Sequence, residues 1–147
     1  MTTQTADRLA RILAATPLRL ADVSAADASQ PPAPGHWSKK EILGHLIDSA
    51  SNNHQRFVRA QLAPSLETPG YEQEPWVAVQ SYATESWPDL VNLWLLYNRH
   101  LLHIVRTMQP SSLPVPCAIG GSAPVPLSEV VSSYVDHMEH HLSQILG

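Results

Sequence analysis

His137 and His141 stand four residues apart in a stretch, Leu127 to Ile145, that reads as one helix. Positions i and i+4 are neighbours on a helix face, with Cβ atoms roughly 5–6 Å apart. Two imidazoles at that spacing converge on one divalent cation, as in other helical His-x3-His motifs. Leu127, Val130, Val131, Tyr134, Met138, Leu142 and Ile145 form the apolar arc of the stretch. At 3.6 residues per turn His141 falls about 50° from the centre of that arc and His137 about 90°, whereas His140 falls about 150° away and should face solvent. Two ring nitrogens leave a cation undersaturated, so a third donor must come from another element. Spacing alone also fits a plainer reading, two polar residues flanking a core in a chain that holds eight histidines.

The remaining histidines offer weaker chemistry. His100 and His103 are i,i+3 neighbours, but His103 points away from the apolar stripe of its helix. His54 lies inside an apolar stripe and reads as a core histidine with a hydrogen-bond partner, and His36 sits in a loop. His45 falls opposite the Leu43/Leu46/Phe57 stripe, which ordinarily means solvent. Its face also carries Ser49, Asn52 and Arg56. The uncharged members of that face suit the wall of a wet cavity.

Four helical segments must position these groups. The first begins near Thr3 with Leu9, Ile12 and Leu13 at helical spacing, and Pro17 breaks it into a kinked pair reaching about Val23. Residues 29–35 (SQPPAPG) form a stiff connector. The second helix opens on a capping box, Ser38 with Glu41, and a hydrophobic staple, Trp37 with Ile42, and runs to about Leu62. A long connection, Ser65 to Tyr82, follows; loops of this length are uncommon in small domains and often functional. The third helix starts at Ser86-Trp87-Pro88 and ends before Pro110. Leu113 to Val125, around Gly120-Gly121-Ser122, predicts a short two-stranded excursion before the last helix. The pattern is all-α, an antiparallel four-helix bundle with one long crossover connection, in a single domain spanning 1–147.

The totals exclude several classes. The 147 residues carry a net charge of −4 with no Lys/Arg cluster, which argues against a nucleic-acid footprint. Hydrophobic residues at 44% and charged residues at 15% describe a soluble globular chain. The single cysteine, Cys117, rules out an internal disulfide and a cysteine-rich zinc site, and an unpaired thiol suits a reducing cytoplasm. No apolar run reaches the length of a membrane span, and the N-terminus lacks the pattern of a signal peptide.

The segment Trp37-Ser38-Lys39-Lys40-Glu41-Ile42-Leu43-Gly44-His45-Leu46 resembles the second-helix motif of the DinB/YfiT-like superfamily. His137-Met138-Glu139-His140-His141-Leu142 is similar to the closing His-x3-His helix of that family, and the Ser86-Trp87 helix start matches as well. The resemblance covers essentially the whole chain and implies the same bundle. It implies a three-histidine divalent-metal site, His45 with His137 and His141, that keeps open coordination positions. An all-imidazole set suits zinc or nickel first, then iron or copper, better than magnesium or calcium.

Relatives in that superfamily include transferases and an isomerase that use low-molecular-weight thiols such as bacillithiol or mycothiol. The implied function is a divalent-metal-dependent enzyme acting on a small molecule, of thiol S-transferase or hydrolase type, with a low-molecular-weight thiol as a further co-substrate. The alternative is a non-catalytic metal- or small-ligand-binding bundle of a stress response. Ser49 and Asn52 are expected to position substrate, and Tyr71 and Trp76 to cover the pocket. Asp48 and Glu139 read as surface carboxylates, Asp48 also as a partner of a ligand histidine. A homodimer is expected, with no membrane or nucleic-acid partner.

Overall fold

The computed structural model describes residues 2–147. Four long helices make the frame: α1 (Thr2–Ala21), α3 (Lys39–Ala60), α5 (Trp87–Thr107) and α6 (Leu127–Leu146). Two short helices, α2 (Ala25–Ser29) and α4 (Gln73–Gln80), lie in the connections. α1 and α3 each pack against both α5 and α6, which arranges the long helices as a four-helix bundle. Leu9, Leu43, Leu46, Phe57, Leu90, Trp94, Leu101, Leu127 and Met138 fill its interior and are fully buried.

Helix starts follow local chemistry. The Ser38 side chain accepts from the Glu41 amide at 3.3 Å while Glu41 Oε1 accepts from the Ser38 amide at 3.0 Å, so the capping box is closed in both directions. Ser86 caps α5, accepting from the Asp89 amide, with Pro88 in the first turn. Four features depart from the sequence reading. Pro17 does not split the first helix; α1 runs through it, because docking on α5 and α6 outweighs the one backbone bond that proline removes. Ser24 caps α2, a single helical turn anchored by buried Ala28. The Ser65–Tyr82 connection is not structureless. It holds strand β1 (Leu66–Thr68), α4 and a 3₁₀ turn, Tyr82–Thr84. The excursion before α6 contains the expected pair, β2 (Pro116–Ile119) and β3 (Val125–Pro126), but β1 joins it in parallel, Leu66 opposite Cys117, to give a three-stranded sheet.

α3 is the central element. It touches α2, α4, α5, α6, β1 and the 3₁₀ turn at Tyr82, and every residue from Ile42 to Ala50 is buried. No helix among the described residues is long and apolar enough to cross a membrane.

Candidate metal centre

All-round burial of α3 decides the position of His45. Periodicity places it opposite the apolar stripe, but only 1% of its surface is exposed, because α6 lies against the face that a two-sided helix would leave to water. The capping box fixes the helix start just ahead of it. Trp37, half-buried at the residue before the cap, sets its ring 5.1 Å from the His45 ring.

On α6, the buried arc of Val130, Val131, Tyr134, Met138, Leu142 and Ile145 turns His137 and His141 to the rim, both half-buried, and leaves His140 exposed. The outer side of the helix is tied to α1 by Arg8, which pairs with Asp136 at 2.5 Å and Glu139 at 2.8 Å. His45 Nε2 faces His137 Nε2 at 3.0 Å across 92 residues of sequence. The His141 ring lies 4.7 Å from that of His45 and 4.5 Å from that of His137. One candidate donor atom from each of the three rings lies within 4.8 Å of the others.

This donor set fits a divalent transition metal. Metal–nitrogen bonds of roughly 2.0–2.1 Å put two ligands of a tetrahedral ion a little over 3 Å apart, close to the His45–His137 separation. Burial, then the neighbouring histidines, lowers His45 to about 4, and the same causes lower His137 to about 4. Both rings are therefore neutral near pH 7, the state in which imidazole offers a lone pair. His141 Nδ1 meets Gln144 Oε1 at 2.8 Å; as the oxygen accepts, Nδ1 carries the proton and Nε2 is left as the donor toward the cluster. His45 Nδ1 is buried without a hydrogen-bond partner among the described residues, so its ring is held by packing, Trp37 included.

A cavity of about 250 Å³ opens beside His137. Ser49 and Tyr71, both expected from sequence to meet substrate, line it together with Asn53, Arg56 and Ser133. Asn52 and Trp76 do not line it. They border an adjoining outer groove, where Trp76 stacks on Tyr71 with ring centroids 5.2 Å apart and the Asn52 side chain donates to the Asp48 carbonyl. Burial raises the Tyr71 hydroxyl, with neighbouring Ser49 opposing the shift, so the phenol is neutral.

Asp48 is not a surface carboxylate. It is 2% exposed and its Oδ1 accepts from the Tyr82 hydroxyl at 2.6 Å and from Gln80 Nε2 at 2.7 Å, while Oδ2 has no partner among the described residues. Burial raises its pKa, and the two hydrogen bonds oppose that shift. Asp48 thus clamps the end of α4 and the following turn to α3 rather than supporting a ligand histidine. Tyr82 and Gln80 escape sequence reading because their partner lies more than thirty residues away. Glu139 is the exposed partner of Arg8, as a plain surface carboxylate should be. His54 Nδ1 meets the Tyr97 hydroxyl at 2.9 Å, the core-histidine arrangement, and His100 lies ring to ring with it, away from the cluster.

The fold has counterparts among known proteins. YfiT from Bacillus subtilis, described as "a probable metal-dependent hydrolase with an unusual four-helix bundle topology", superposes with a TM-score of 0.75 at 20% identity, covering 95% of this chain and 83% of that one. Proteins of Bacillus mycoides and Oceanobacillus iheyensis, each named "putative metal-dependent hydrolase", are 23% identical over 111 residues and 24% over 116. Each match takes in 76% of this chain and 64% of the relative, so the chain spans somewhat under two-thirds of the length of these curated relatives. The family model described as the DinB superfamily matches residues 8–145, and with nearly the whole chain inside that match, the protein belongs to the DinB superfamily.

Proposed function

We propose that the chain is a divalent-metal-dependent hydrolase of small molecules, with His45, His137 and His141 as the metal ligands. The observation that carries the reading is the convergence of three imidazoles from two helices, with donor atoms within 4.8 Å of one another. Two of the rings are held neutral by burial, which favours a cation over a proton at working pH. The names of the relatives agree with this class.

Zinc or nickel suits the all-nitrogen set best, iron or copper next. Three protein donors leave a coordination position for water or substrate, and a cation bound there supplies Lewis acidity and lowers the pKa of a coordinated water. The chain's own groups do the rest. Ser49 and the neutral Tyr71 hydroxyl line the wall of the cavity next to His137 and can orient a polar substrate there. Trp37 covers His45 on another side and keeps water from that ring.

The test is metal analysis of protein purified without a histidine tag, next to a His137→Ala/His141→Ala variant, followed by turnover of ester and amide panels with and without chelator. The expected result is about one divalent cation per wild-type chain, little in the variant, and chelator-sensitive hydrolysis. Equal metal in both proteins overturns the site. Metal without turnover, even when a low-molecular-weight thiol is added as co-substrate, assigns the chain to the non-catalytic metal-binding reading instead.

A further inference from the structure

Arg56 lies on α3, half-buried, on the wall of the cavity that also holds His137. Burial lowers its pKa, with the Tyr71 hydroxyl opposing. Among the described residues its one hydrogen bond is long, from Nη1 to Asn53 Oδ1 at 3.5 Å. Among the described residues no carboxylate pairs with it. Three other arginines have partners: Arg8 pairs with Asp136 and Glu139, Arg106 pairs with Asp7, and Arg59 donates to Gln55 along the outer groove, while Arg11, Arg19 and Arg99 are exposed to water. Among the described residues the lining of this cavity contains no aspartate or glutamate; Glu72 lies on the outer groove that Arg56 also borders, and it makes no ion pair with Arg56.

Withdrawing a guanidinium from water without an anion is unfavourable, and folded proteins normally answer it with a charged partner. Five N–H donors in a planar fork match the two oxygens of a carboxylate or a phosphate. Neighbouring groups are donors or neutral: the Tyr71 hydroxyl, the Asn53 amide and the Ser133 hydroxyl on α6, which stands one turn before His137. The volume is about 250 Å³, and at about 30 Å³ per water that is room for a small organic molecule.

We infer that Arg56 is the anchor for an oxyanion, carboxylate or phosphate, carried by the substrate, so that the chain acts on small acidic molecules whose anionic end is held at Arg56 while the remainder reaches toward His137. The inference rests on the hydrolase reading for the direction in which the substrate lies, but not for the existence of the anion site.

The test uses metal-free wild-type protein, dialysed after chelation, with acetate and inorganic phosphate as probes and acetamide as the neutral control. The readout is the Arg56 Nε–Hε signal in a nitrogen–proton NMR titration. A saturable shift with acetate, phosphate or both, absent with acetamide, is the expected result; the anion that binds names the source class. Arg56→Gln should abolish the saturable shifts of neighbouring Asn53 and Ser133 amides. Arg56→Lys, which keeps the charge without the fork, should weaken binding by about tenfold. No saturable shift with either anion, an equal response to acetamide, or undiminished binding in Arg56→Gln overturns the inference. The wild-type signal needs no variant, so a variant that fails to fold leaves the test intact. A chain that binds anion but no metal loses the hydrolase reading alone, and one that binds metal but no anion loses this inference alone.

Discussion

The hydroxyl of Tyr82 donates to Asp48 at 2.6 Å, and the ring behind that hydroxyl lies directly on Gly44, one helical turn before Asp48. A Cβ on Gly44 would stand 2.2–2.5 Å from the ring carbons of Tyr82. The pair closes the connection after α4 onto the same two turns of α3 that carry His45.

Gly44→Ala should destabilise the protein. Alanine gains about 1 kcal/mol of helix propensity over glycine, but the ring it would strike is 4% exposed and fastened by its hydroxyl, so it cannot swing aside. Overpacking of this kind costs about 1–3 kcal/mol. A thermal melt that rises in Gly44→Ala would show that Tyr82 moves freely and that its seat is not a constraint.

Asp48→Ala and Tyr82→Phe test the clamp itself. Removing the carboxyl group takes away two hydrogen bonds at a buried acceptor, with an expected loss of about 2–3 kcal/mol, and removing the hydroxyl alone should cost about 1 kcal/mol. Because the groups touch, a double-mutant cycle should show coupling of about 0.5–3 kcal/mol. Additive losses in chemical denaturation would mean that the two residues act independently.

Acid should destabilise the metal-free protein from the ordinary histidine range downward. His45 and His137 are lowered from 6.5 to about 4 in the fold. As pH falls below about 6.5 the unfolded chain takes up protons that the folded chain refuses. The stability contributed by the neutral rings is therefore complete above that pH and lost as pH drops toward about 4. Denaturation midpoints of metal-free wild type should fall across this window, and those of a His45→Gln/His137→Gln variant should fall much less. Matching slopes would place the acid sensitivity elsewhere.

Glu139→Gln serves as a control within the same helix. Its partner Arg8 is on the surface, and exposed ion pairs contribute about 0–1 kcal/mol. Metal content and any turnover should stay at the wild-type level; a loss of turnover with metal retained would make Glu139 a participant in the chemistry.

Much of this architecture is legible in the chain because its signals are local. The Ser38 capping box, the Ser86 cap with Pro88 and the His137/His141 pair each declare themselves within a few residues, and each is where the spacing predicts. What is missed depends on distant partners. β1 finds β2 some fifty residues later and in parallel, a pairing that no turn signal announces. Periodicity assigns His45 and Asp48 to water because it assumes that a helix has one wet side, and α3 between residues 42 and 50 has none. The family motif at Trp37-Ser38 recovers His45 where the apolar pattern does not. Arg56 stands on the same predicted polar face as Ser49, but only the structure shows that no acidic side chain among the described residues pairs with it.

The three-stranded sheet consists of strands two to four residues long, with prolines at Pro116 and Pro126, and it frames the cavity through Ile119 and Val125. So short a ladder opens at a small fraction of the free energy that unzips packed helices. Amide exchange at Ile119 and Val125 should therefore outpace exchange in the middle of α3 and α6, whose ladders are long and packed.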